Sequence, residues 1–164
     1  MSEATNFLGT RMLRDRPERK LWLCQDKYIE SFMSTFNVDI KKVPSTSLPP
    51  VILDPFQGIA TEAQIKGYQH KIGRVNFASV STRADLASAV SVLSRFLTNL
   101  GPQHHEPIDH LLKYLISTAY LEMRYNGKYH LKNTTTSRRA FMTFSDESYE
   151  DDPQTSHSVR VSEQ

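Results

Sequence analysis

With one cysteine, Cys24, the chain has no means of forming an internal disulfide. That excludes the small secreted scaffolds held by paired cysteines, and a reducing, intracellular setting is the expectation. Long apolar runs are also missing. No stretch approaches the roughly 18 residues that a membrane span needs, so no membrane is expected among the partners. The opening Met1-Ser2-Glu3-Ala4-Thr5-Asn6 has neither the basic region nor the apolar stretch of a signal peptide. Internal repeats are absent. What remains, at 164 residues and 38% hydrophobic, is one domain, or one small domain with an appendage and polar ends.

Charge is unevenly spread behind a formal net of +2. Residues 140–164 hold Asp146, Glu147, Glu150, Asp151, Asp152 and Glu163 against one base, Arg160. That leaves 19 basic residues against 12 acidic ones over residues 1–139, a net of +7. A basic body with an acidic tail fits a surface that meets phosphate. Ordinary solvated lysine and arginine explain the same excess equally well.

The pattern predicts an α+β chain. Phe7-Leu8-Gly9-Thr10-Arg11-Met12-Leu13 and Lys20-Leu21-Trp22-Leu23-Cys24 read as strands, joined by a polar, proline-containing turn into a β-hairpin. A helix follows from Asp26, with Tyr28, Ile29, Phe32, Met33 and Phe36 on one stripe and Asn37 as its stop. Residues 41–60 hold Pro44, Pro49, Pro50 and Pro55 and form an extended linker. Three helices are expected over 61–119. The first opens on a capping box, Thr61-Glu62-Ala63-Gln64, and Ile65, Tyr68 and Ile72 share its face. The second is capped by Ser81 or Thr82 and carries Leu86, Val90, Leu93, Phe96 and Leu97. The third starts near Pro102 and buries Ile108, Leu111, Leu112, Leu115 and Ile116. A strand at 121–125, with Asn126-Gly127 as its turn, and another at 140–144 begin an incomplete sheet over 120–147. The acidic, serine-rich tail at 148–164 buries too little to order itself.

Several spaced words stand in a serial order that resembles copia-type retrotransposon polyproteins. Phe7-Leu8-Gly9, the Arg-Asp-Arg turn and Lys20-Leu21-Trp22-Leu23-Cys24-Gln25 before Tyr28-Ile29 match that family's FLG hairpin and "LSQ..YI" helix. Pro44-Ser45-Thr46-Ser47-Leu48-Pro49 resembles its short Thr-Pro word. Tyr68-Gln69-His70-Lys71-Ile72-Gly73 resembles "Y-x-x-x-I-G", and Thr82-Arg83-Ala84-Asp85-Leu86-Ala87-Ser88-Ala89-Val90-Ser91 resembles "TRPDIAFAVS". Ser94-Arg95-Phe96, His104, and Leu112-Lys113-Tyr114-Leu115 before Thr118 continue the order, and Ser145-Asp146 resembles "SDADWA". Each word alone is a cap or a core stripe; the order identifies the family. Ala84 in place of proline, Pro107 in place of alanine and Ser148-Tyr149-Glu150 in place of "DWA" point to a drifting copy.

The resemblance, which covers roughly residues 7–152, implies the end of a reverse transcriptase running into the start of its ribonuclease H. Residues 1–40 would be the end of the palm with a primer-gripping hairpin, and 61–119 a thumb-like bundle. The polymerase's Y-x-D-D hairpin, whose carboxylates hold two metal ions, would lie before Phe7, so the chain is not expected to be an enzyme by itself. Tyr149-Glu150-Asp151-Asp152 lacks the apolar strands that such a turn needs and reads as a solvated acidic run. Asp146 corresponds to the first metal-binding aspartate of ribonuclease H, in an incomplete site; a turn or capping role competes for it. No cofactor is expected in this piece, although magnesium is implied for the full-length enzyme. His104, His105 and His110 have helical spacing but no supporting cysteine or carboxylate, so a zinc site is not expected. Cys24 reads as a small strand residue. The partners implied are an RNA–DNA hybrid or template–primer, bound weakly, and the rest of the polyprotein. Arg11, Arg14, Arg16, Arg19, Lys20, Arg83 and Arg95 are the expected phosphate contacts, with a solvated surface as the competing reading. A small helical nucleic-acid- or protein-binding module with no transposon role is the alternative function.

Overall fold

The computed structural model describes residues 6–127, together with the backbone of two further strands at 145–148 and 159–162. Two units are distinguished, Met1–Lys128 and Tyr129–Gln164. The first begins with β1 (Asn6–Phe7), β2 (Thr10–Asp15) and β3 (Lys20–Cys24), followed by α1 (Asp26–Phe36). α2 (Glu62–Ser81), α3 (Ala87–Ser94), α4 (His105–Ser117) and β4 (Met123–Asn126) complete it, with single 3-10 turns at Ala84–Leu86 and Pro102–His104. The mixed α+β class is as the sequence indicates.

The strand expected over 7–13 is broken. Leu8 (φ 47°) and Gly9 (φ 78°) form a two-residue turn with both positions left-handed, and Phe7 pairs with Thr10 across it. Such turns match the twist of antiparallel strands, and glycine enters the conformation without steric penalty. The apolar run Phe7-Leu8 concealed this break. The following turn is as expected. Asp15 accepts the Glu18 N–H at 3.0 Å and Arg19 adopts φ 54°, closing Asp15 onto Lys20.

α1 is tied to the hairpin at its first residue but packs with the other helices. Its Ile29 and Phe32 are fully buried in the same core as Tyr68, Ile72 and Val75 of α2, Leu93 of α3 and Leu111, Leu112 and Leu115 of α4. The helical layer is therefore one core of four helices rather than a hairpin unit beside a three-helix bundle. Met33, placed on the apolar stripe by spacing, is 45% exposed. Arg74 fastens α1 to α2: its guanidinium lies 4.8 Å from the Phe32 ring and 5.3 Å from that of Tyr28, and it donates to Ser31 Oγ at 2.8 Å. Partly desolvated cation–aromatic contacts of this kind exceed their solvated value.

The capping box at Thr61 and Gln64 is present. Thr82, by contrast, caps no following helix. α2 runs on through Ser81, and the Thr82 hydroxyl donates to buried Gln25 Oε1 at 2.8 Å. The proline-rich segment contains no helix or strand, and helix-side polar groups hold it as a strap. Asn99 Nδ2 donates to the carbonyls of Phe56 (3.1 Å) and Gly58 (3.0 Å), while its Oδ1 accepts from Ala60 N–H (3.1 Å).

The strand read at 121–125 forms as β4 but joins the N-terminal sheet. It pairs antiparallel with β3, giving the order β1-β2-β3-β4, instead of starting a separate C-terminal sheet. Strand partners are set by tertiary packing, which short-range alternation does not report. The companion strand expected at 140–144 lies outside the described residues. In the second unit, β5 (Ser145–Ser148) pairs antiparallel with β6 (Val159–Ser162), and β6 falls within the tail at 148–164 expected to lack structure. The alternating Val159 and Val161 suit a strand once a partner supplies hydrogen bonds; the rest of 148–164 lies outside the described residues.

One buried polar group gives this fold a pH dependence. His104 is stacked on Phe96 with ring centroids 3.9 Å apart; its Nδ1 accepts the Gly101 N–H at 2.7 Å. The ring proton therefore sits on Nε2, 3.1 Å from the Asp54 carbonyl of the strap. Burial lowers its pKa below the ordinary value, with the Asp54 bond acting in the opposite sense. The unfolded chain takes up this proton at higher pH than the folded one. The contribution is thus complete above the unfolded value of 6.5 and is lost as pH falls from there toward the depressed folded one. The urea midpoint should fall as pH is lowered through that window, and His104→Gln should flatten the dependence. An equally steep fall in the variant would contradict the assignment.

Candidate nucleic-acid interface

Strand register sorts the basic residues expected to meet phosphate. Residues directly opposite across antiparallel strands share a face. Arg14, Leu21 and Tyr125 form one such row, and Met12, Leu23 and Met123 the row beside it. Arg11, Lys20, Trp22 and Arg124 belong to the opposite face, while Arg16 and Arg19 stand in the turn. The five bases of the hairpin therefore do not form a single stripe.

Four of them still meet in one place. A cavity of about 1160 Å³ opens at the turn end of the sheet, lined by Arg14, Arg16, Arg19 and Lys20 together with apolar Leu21 and the ring of Tyr125. Asp15 is the acidic residue in this lining, and its carboxylate is engaged by the Glu18 N–H. Lys20 also lies 3.6 Å from Glu18, a surface pair of little energetic consequence. Gly127 holds the end of β4 against the turn: its N–H donates to the Arg19 carbonyl at 2.7 Å, and a Cβ there would sit 3.1 Å from that oxygen. Positive charge, an apolar floor and an aromatic ring thus come from segments a hundred residues apart.

Arg11 has other work. Its Nε and Nη2 donate to Asp26 Oδ2 at 3.1 and 2.8 Å, joining β2 to the first residue of α1. Burial acts to raise the Asp26 pKa, but the bonds from Arg11 and from the Lys27 N–H outweigh it and leave the carboxyl below its usual range. Arg83 is 1% exposed, which removes it from any interface. Its guanidinium grips Asp85 through both carboxylate oxygens (2.9 and 2.7 Å) and donates to the carbonyl and hydroxyl of Thr118 (3.0 and 2.7 Å). Burial again acts to raise the Asp85 pKa; Arg83 and the Tyr114 hydroxyl bring it below the ordinary value. Arg95 is exposed at the end of α3, where a cation complements the helix dipole, and does not line the cavity.

Asp146 falls within β5, its backbone paired with Val161, and the 141–144 strand at whose end it was expected lies outside the described residues. Among the described residues, no group of three or more His, Cys, Asp or Glu is placed to hold a metal. His104 is committed to the strap, and His110 Nε2 lies 2.9 Å from the Thr46 carbonyl. Cys24 is buried. Tyr125 is the groove residue that sequence reading missed. Its alternation announced a strand, but nothing local announced Leu21 as its neighbour.

Over 125 residues the chain is 38% identical to the retrovirus-related Pol polyprotein from transposon TNT 1-94 of Nicotiana tabacum. The chain is similar to a segment of a retrotransposon Pol polyprotein. The match covers 73% of this chain and 9% of that relative, so the chain spans a small part of the protein it resembles. The Pol-like chain is also 41% identical over 51 residues to secreted RxLR effector protein 161 of Plasmopara viticola, covering 31% of this chain and 36% of that one. No family model and no solved structure matches it. The retrotransposon origin read from the serial order of words is thereby supported. No helix among the described residues is long and apolar enough to cross a membrane.

The Arg83 contacts generate a stability prediction. Arg83→Lys keeps the charge but loses the two-pronged grip on Asp85. With Asp85 partly solvated, the expected cost is about 2–3 kcal/mol in urea unfolding. Any nucleic-acid affinity, measured per folded molecule, should stay unchanged. A loss of affinity without loss of stability would return Arg83 to the interface.

Proposed function

We propose that the chain is the part of a copia-type Pol polyprotein that follows the polymerase's catalytic strand and leads into its ribonuclease H. It supplies contacts to template–primer and performs no chemistry by itself. The single observation that carries this reading is the cavity at the turn, which Arg14, Arg16, Arg19 and Lys20 line together with Tyr125. Phosphate contacts position a nucleic acid without reading its sequence, which suits a surface that must accept any template. In the full-length enzyme, magnesium and the carboxylates would be supplied by other segments of the polyprotein, with Asp146 as one ribonuclease H ligand.

A second reading is favoured by the 51-residue likeness to a protein named as a secreted effector. In it, the fold persists as a small binding module with no transposon role. Where that module binds protein rather than nucleic acid, the two readings differ in what they bind.

Fluorescence anisotropy with an RNA–DNA hybrid separates them. Affinity should be weak and fall steeply with salt, because each neutralised phosphate releases counterions. Reversing Arg14, Arg16 and Lys20 to glutamate should weaken binding and reduce the salt slope by about 2–3. Salt-independent binding, or none at low ionic strength, would favour the second reading. Magnesium-dependent nucleotide incorporation on a primed RNA template should not exceed that of heat-killed protein; incorporation above it contradicts the noncatalytic assignment.

A further inference from the structure

We propose that Tyr125 is a stacking platform, so that the groove takes an unpaired nucleotide and the chain prefers single-stranded over double-stranded nucleic acid. This rests on the nucleic-acid reading above and concerns the form of nucleic acid that the same groove takes.

Three observations carry it. Tyr125 is 51% exposed although it is flanked on its own face by apolar Leu21, a position where a strand ordinarily covers its ring or carries a polar side chain. Its hydroxyl donates to Met123 Sδ at 2.9 Å, which fixes the polar tip along its own strand. In the same row Leu21 forms an apolar floor, and Arg14 stands one strand beyond it, about 10 Å from Tyr125 at the usual strand spacing. A base laid over the ring and floor would leave its phosphate toward Arg14, Arg16 and Arg19.

A duplex does not use such a surface. Its bases are stacked on one another with their faces covered, so Leu21 and Tyr125 would lose water without gaining a base face as partner. An unpaired base supplies the missing apolar face, and every base has one, which makes the contact tolerant of sequence. The Gly127 N–H bond to the Arg19 carbonyl ties the backbone of β4 to that of the turn. Less backbone ordering is then left to be done on binding.

Anisotropy at one fixed salt concentration tests this with four probes of equal length: single-stranded RNA, single-stranded DNA, an RNA–DNA hybrid and an abasic oligonucleotide. The single strands should bind more tightly than the hybrid, and the abasic strand should lose the advantage. Tyr125→Ala should weaken single-strand binding roughly 5- to 150-fold and weaken hybrid and abasic binding far less, while Tyr125→Trp retains it. Tyr125→Leu keeps apolar bulk on the sheet; loss of single-strand preference in this variant, at wild-type thermal stability, separates stacking from a folding defect. Equal affinity for all four probes, insensitive to Tyr125, overturns the platform and leaves phosphate contact standing. Absence of binding to every probe overturns the function on which it rests.

Discussion

The pairing of β4 with β3 is the constraint on which the rest depends. It returns the chain to the hairpin after all four helices have been laid down, and so joins the first and last parts of the unit in one sheet. A hairpin alone is marginal in water. With β4 in place, the Arg16–Arg19 turn is held from a second side through the Gly127 bond. The groove exists only because that pairing sets Tyr125 opposite Leu21 and, one strand further, Arg14.

The helical layer makes this possible. Arg83, tied to Asp85 and Thr118, fixes the end of α4 from which β4 departs. Arg11 and Asp26 fix the start of α1, where β3 ends. Two arginines that look like phosphate ligands in sequence are thus the pins that orient the sheet against the helices. The nucleic-acid contact proposed for this chain would then fall to the cations of the turn.

Legibility followed the range of each interaction. The Thr61–Gln64 box, the Asn37 stop and the Asp15–Lys20 turn are decided within a few residues, and their side-chain types announced them. The buried stripes of α2 and α4 were readable for the same reason. Partners distant in sequence were not. The pairing of β4 with β3, the hold of Asn99 and His104 on the strap, and the burial of Arg83 each join residues 35 or more apart or depend on such a junction. In the groove, Arg14, Arg16, Arg19 and Lys20 were legible as charge; Tyr125 and Leu21, which give that charge a floor and a ring, were not. The Leu8-Gly9 turn was local yet missed, because leucine rarely occupies the left-handed region.

Amide hydrogen exchange, with and without a single-stranded oligonucleotide, tests most directly whether the β3–β4 junction builds the binding surface. In the free protein, amides bonded across 20–24 and 123–126 should be protected together. On addition of oligonucleotide, further protection should appear in the 16–19 turn and in 123–127, with the helices unchanged. Exchange across 123–126 at the rate of an exposed chain, or protection confined to the helices, would contradict the account.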